Sequence, residues 1–156
     1  PYYYEQHILG YNYRMNDIQA CLGITQLRKI DKFVNKRNKL ASRYQEHLKD
    51  LPIELPKILP ENHCSYHIFV IRIKDSFLIN KSRDKICTEL IHEGIAPNLH
   101  YLPVHLHPYY LDLGFKKGQF IEAEKYSDSA ITIPLYFSMT DKEQDIVIAA
   151  LKSILQ

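Results

Sequence analysis

The chain has 156 residues, of which 46% are hydrophobic and 24% charged, and its net charge is +2. That length holds one domain with a real core, and so mild a charge gives no footing to a nucleic-acid or anionic-membrane binder. No apolar run approaches the roughly 20 residues that a membrane-spanning helix needs. The three cysteines, Cys21, Cys64 and Cys87, are widely spaced and form no disulfide framework, so a reducing, cytoplasmic setting is expected.

The opening Pro1-Tyr2-Tyr3-Tyr4 carries no methionine and no signal-peptide pattern, and it is read as the start of a fragment. Gly10-Tyr11-Asn12-Tyr13-Arg14-Met15-Asn16-Asp17-Ile18-Gln19-Ala20 follows. Gly10 suits a turn. Asn12 and Arg14, two apart, fall on one face of an extended segment. Asn16 and Asp17 are N-cap residue types just before an apolar helical pattern. An amide and a guanidinium ahead of a helix N-terminus suit an anion; a turn Asn and a surface Arg would leave the same trace.

Ile18, Cys21, Leu22, Ile24, Leu27, Ile30, Val34, Leu40, Tyr44 and Leu48 recur mostly at helical spacing, which predicts one long helix over 17–49. Its polar face, Arg28 to Arg43, is basic and reads as a solvated face, because no aromatic-interleaved patch accompanies it. Cys21 reads as a small buried residue of this helix. Pro52, Pro56 and Pro60 mark a loop. The β-branched and aromatic run 66–73 predicts a strand. Within His63-Cys64-Ser65-Tyr66-His67, the Tyr66 and His67 side chains are expected to alternate faces on it.

A helix is predicted over 82–94, stopped at Gly94, then a second strand over 95–101. Residues 103–118 read as irregular. A helix over 120–130 leads into a short strand, 130–133, ended by Pro134. Thr140-Asp141-Lys142-Glu143 is a capping box that opens a last helix through Leu155. This order of helices and strands gives an α/β chain in α+β layers.

The 10–20 stretch resembles the G-Y-N-Y/F-R-M-T/N-D-I-Q-A signature of the DegT/DnrJ/StrS-type sugar aminotransferases. Pro1-Tyr2-Tyr3-Tyr4-Glu5 and Leu22-Gly23-Ile24-Thr25-Gln26-Leu27 extend the match on both sides. Asn16 stands where Thr or Ser is common and Cys21 where Ala is common. Ala130-Ile131-Thr132-Ile133-Pro134-Leu135 replaces the usual A-L-S-L-P-L, and Phe137 stands where Pro is frequent. The resemblance implies pyridoxal-phosphate (PLP) enzymes of aspartate-aminotransferase, type I fold that act on nucleotide-linked keto-sugars. This chain would be their C-terminal part. Residues 1–16 would end the large domain with a site loop, 17–50 would form a connecting helix, and 51–156 the small domain, a largely antiparallel sheet backed by helices.

The resemblance also implies roles. Asn12 would reach across a homodimer interface to the partner subunit's cofactor phosphate, an amide being a donor without competing charge. Arg14 would lie beside that site and contact the sugar nucleotide. Asn98-Leu99-His100-Tyr101-Leu102-Pro103-Val104-His105-Leu106-His107 is similar to the family's H-Y-x-P-x-H segment, which lines the substrate pocket. His100 and Tyr101 would then face the sugar, and His105 the sugar or its diphosphate. From the residues alone, the same stretch reads as a polar loop whose histidines cap strand ends. Its H-x4-H-x-H spacing fits no common zinc pattern, so no metal is expected.

No catalytic residue is assigned within the chain, because the family's Schiff-base lysine lies upstream. The intact protein is expected to transfer an amino group from glutamate to a UDP- or dTDP-linked keto-sugar. The lead-in and Gln26–Phe33 look closest to the 4-aminotransferases of pseudaminic-acid biosynthesis. Alone, the chain is expected to be inactive and to self-associate through the apolar surface from Ile18 to Val34. The alternative is a non-catalytic binding or regulatory domain that keeps the fold without its lysine.

Overall fold

Residues 3, 5–11 and 13–156 are described by the computed structural model. The chain divides into two units, Pro1–Lys32 and Phe33–Gln156.

In the first unit, Asn16 is extended and caps helix α1, Asp17–Leu27. Its Oδ1 accepts the Gln19 N–H at 2.9 Å, and the Gln19 side chain accepts the Asn16 N–H at 3.1 Å. Two of the four N–H groups that a helix start leaves open are thereby satisfied. α1 buries none of its residues. Cys21, expected to be buried, is exposed for that reason: a small apolar residue is covered only where its helix has a surface to pack on.

The helix expected over 17–49 is two helices. α1 ends at Leu27, and α2 runs Ile30–Leu48. At the break the Lys29 N–H bonds to the Gln26 carbonyl at 2.9 Å, a tightened three-residue step. Thr25 Oγ1 also donates to the Leu22 carbonyl at 2.8 Å, a bond that weakens the turn it joins. Apolar spacing persists on both sides, so periodicity alone carries no mark of the interruption.

In the second unit, α2 turns Leu40, Ala41, Tyr44 and Leu48 into the core. The sheet is antiparallel, in the order β1–β2–β3: Ile53–Glu54, Phe69–Ile73 and Ala130–Ile133. Ile53 pairs with Ile73, and Phe69 with Ile133. Phe69, Ile71 and Ile73 alternate into the core, as a period of two requires. β3 is buried at every position. Helices α4, Arg83–His92, and α7, Asp141–Leu155, pack on one another. The Tyr44 hydroxyl donates to the Pro134 carbonyl at 2.8 Å, and Gln144 Nε2 to the Leu40 carbonyl at 2.7 Å. These bonds satisfy polar atoms that burial would otherwise make costly.

The expected class, α/β layers with a small antiparallel sheet and helices, is the fold observed. Its details differ. β2 begins at Phe69 and not at Tyr66, whose φ of 44° is left-handed and cannot continue a strand. β1 lies in a segment read as loop, since prolines on both sides masked two paired residues. The strand expected over 95–101 is a single bridge, Asn98 to Thr132. Pro97 has no N–H to extend the ladder, and the Asn98 side chain takes the Leu99 N–H at 2.7 Å. Short helix α5, Pro108–Asp112, occupies a stretch read as irregular, and α3, Asp75–Leu78, lies between the strand and the helix that were expected. The helix expected over 120–130 is α6, Ile121–Ser129. Those expected over 82–94 and after Thr140 are α4, with Gly94 at φ 76°, and α7. Among the described residues no helix is long and apolar enough to cross a membrane.

Candidate substrate-binding loop

The loop from Asn98 to Gly118 leaves the sheet edge and returns to α6, and it is fastened at both ends. At the first end, Asn98 and Thr132 exchange backbone hydrogen bonds at 3.0 and 2.8 Å. His100 Nδ1 meets the Thr132 hydroxyl at 2.8 Å. Thr132, itself buried, therefore holds both the backbone and a side chain of the loop.

The Tyr101 ring stands edge-on to His100 at 4.6 Å and is 71% exposed. Leu102 and Val104 are exposed beside it in sequence. Pro103 then starts a tight 3-10 turn, Val104–Leu106, which carries His105 inward.

His105 is only 7% exposed. Its Nε2 lies 2.8 Å from Glu124 Oε1, and its ring packs 4.8 Å from Phe120. Glu124 projects from the first turns of α6 and is 8% exposed. Its Oε1 also accepts the Gly118 N–H at 2.7 Å. Gly118 has φ 90°, which a side chain would strain. The hydrogen bond from His105 holds the Glu124 carboxyl below the usual range against the opposing effect of burial, helped by the backbone N–H groups of Gly118 and Phe120.

The structure thus places His100, half-buried against Thr132, beside the exposed Tyr101, and His105 inside the loop's far anchor. His63 and His67 are exposed, whereas Tyr66 packs in the core. Arg14 is exposed in a surface hollow with Tyr13, Met15 and Gln19, just ahead of α1. Asn12 lies outside the described residues. Among the described residues there is no cluster of three or more His, Cys, Asp or Glu able to hold a metal. Glu124 escaped the sequence reading: it lies far from His105 in the chain, and a Glu early in a helix ordinarily reads as a dipole partner in solvent.

The sequence profile of the DegT/DnrJ/EryC1/StrS aminotransferase family matches residues 2–152. The chain belongs to this family. This family member is 34% identical to the spore coat polysaccharide biosynthesis protein SpsC of Bacillus subtilis, over 99% of this chain and 40% of SpsC. It is similar to the PLP form of the putative sugar aminotransferase Spr1654 of Streptococcus pneumoniae, with 29% identity and a TM-score of 0.86, over 99% of this chain and 39% of that one. It is also similar to Helicobacter pylori PseC, an aminotransferase involved in pseudaminic-acid biosynthesis, with 26% identity and a TM-score of 0.84, over 97% and 40% of the two chains. The chain therefore spans about 40% of the length of these relatives.

Proposed function

We propose that the intact protein carrying this chain is a PLP-dependent aminotransferase. It transfers an amino group from glutamate to a nucleoside-diphosphate-linked keto-sugar for surface-glycan biosynthesis. It works in the cytoplasm as a homodimer whose active site is shared across the interface. The observation that carries this reading is the family match over residues 2–152, joined to a close structural likeness to a relative in its PLP form.

The donor set of this chain fits the cofactor. An exposed guanidinium, Arg14, precedes a capped helix start, and both favour anions. Asn12 would hold the cofactor phosphate and Arg14 the sugar nucleotide. When bound, PLP supplies an electron sink for amino transfer. The lysine that carries it belongs to the upstream part of the protein, so this chain alone is inactive on this reading.

His100 and Tyr101 present an aromatic surface and a hydroxyl to the keto-sugar, and His105 borders the sugar or its diphosphate. The resemblance to pseudaminic-acid 4-aminotransferases implies a UDP-linked 4-keto-6-deoxy-N-acetylhexosamine as the substrate, and the likeness to PseC, an aminotransferase of pseudaminic-acid biosynthesis, fits that subgroup. The test is to give the intact, PLP-loaded protein glutamate and that sugar, then follow 2-oxoglutarate and the sugar's mass. Amino-sugar formed in step with 2-oxoglutarate supports the reading. PLP binding with neither product would favour a non-catalytic binding or regulatory protein instead.

A further inference from the structure

We propose that Glu124 is a positioning residue: it closes the Asn98–Gly118 loop and orients His105 so that Nδ1 remains to accept a hydrogen bond from a sugar hydroxyl. This rests on the proposed function, because the hydroxyl is that of the keto-sugar.

The argument starts from the carboxylate. An ionised Glu only accepts hydrogen bonds, and when buried it has to be surrounded by donors. Glu124 meets that need with donors from outside its own helix. His105 Nε2 comes from the 3-10 turn at 2.8 Å, and the Gly118 N–H from the loop's last turn at 2.7 Å, both to the same oxygen. The Phe120 N–H adds to them. One side chain on α6 therefore ties down the distant half of the loop whose other half Thr132 holds at the sheet edge. Between the Thr132 anchor and His105, Tyr101, Leu102 and Val104 are exposed and Pro103 is buried.

The same contact fixes the chemistry of the ring. Nε2 faces a carboxylate oxygen, so Nε2 carries the proton, and in the neutral ring Nδ1 is left with its lone pair. Among the described residues nothing hydrogen-bonds to Nδ1, and it is not sealed from solvent. A neutral ring held this way accepts from a hydroxyl; it does not donate to a phosphate oxygen. Glu124 touches neither substrate nor cofactor and acts only through His105 and the loop. Its loss should therefore weaken the handling of the keto-sugar and leave that of glutamate intact.

The experiment uses the intact protein labelled with 15N-histidine, wild type beside Glu124→Ala and Glu124→Gln. In the wild type and in Glu124→Gln, which keeps an acceptor oxygen, the His105 ring should be protonated on Nε2 and bare on Nδ1. In Glu124→Ala the two tautomers should mix. The KM for the keto-sugar should rise about tenfold in Glu124→Ala, equivalent to one lost hydrogen bond of about 1.4 kcal/mol. It should return to near the wild-type value in Glu124→Gln, while the KM for glutamate stays constant across all three. A wild-type ring protonated on Nδ1 would overturn the proposal, as would equal changes in both KM values or no change in either. Should Glu124→Ala fail to fold, the ring state of the wild type still decides: a proton on Nε2 upholds the proposal and a proton on Nδ1 overturns it. If the wild type makes no amino-sugar, the proposed function fails, and the NMR result still judges the orientation of His105 separately.

Discussion

Helices α1 and α7 open with the same device and end with opposite fates. Asn16 and Gln19 form a capping box on α1, and Thr140 and Glu143 form one on α7, where the Glu143 side chain accepts the Thr140 N–H at 2.7 Å. α7 buries Gln144, Val147, Ile148, Ala150, Leu151 and Leu155, whereas α1 buries nothing. Ile18 and Leu22, apolar and helically spaced, are 75% and 60% exposed. A cap records where a helix starts. It says nothing of what will cover the helix, and burial supplies most of a helix's stability.

That contrast is most sharply tested by deleting the same volume from each helix. Leu151→Ala in α7 should cost about 2–5 kcal/mol in urea unfolding, through lost burial and the cavity left behind. Leu22→Ala in α1 should stay within about 0.5 kcal/mol, as for an ordinary surface change. Comparable losses would mean that α1 is covered in solution. The exposed face of α1 should also make the isolated chain associate, since large apolar patches do. Light scattering at rising concentration should give a rising mass, and a constant monomer would remove α1 as the contact. Next in size come the caps. Thr140→Ala should cost about 1 kcal/mol of global stability. Asn16→Ala should speed amide exchange within α1 and leave the global unfolding midpoint in place.

The smallest effect concerns acid. Contacts led by the bond from His105 hold the Glu124 carboxyl below its ordinary value. A carboxyl lowered in the folded state adds stability above its unfolded pKa, near about 4.3, and loses it as pH falls through the folded value. His105→Leu removes the donor that is the main cause of the lowering and should move the acid-unfolding midpoint to higher pH. An unmoved midpoint would mean that the pair is broken in solution.

Much of this was legible where the signal is local. The capping box at Thr140, the N-cap residue at Asn16, Gly94 after α4 and the β-branched run of β2 follow from neighbouring residues. The sequence also grouped His100 and Tyr101 with His105 in one polar stretch, by resemblance alone. What stayed hidden depends on contacts distant in sequence. β1 exists only because Ile53 meets Ile73. The strand expected at 95–101 shrank to one bridge because Pro97 and the Asn98 side chain withdraw the backbone from the ladder. The exposure of Cys21 depends on the whole of α1 being uncovered. Glu124 became visible only once the fold had brought α6 against the 3-10 turn.

The central claim is that the arc at Tyr101 serves the keto-sugar. Its most direct test is kcat/KM measured separately for keto-sugar and for glutamate in the intact protein, wild type against Tyr101→Ala. The account predicts a loss of about tenfold or more for the keto-sugar and no change for glutamate, since an exposed contact to one substrate is removed. An equal loss for both substrates, or none for either, would contradict it.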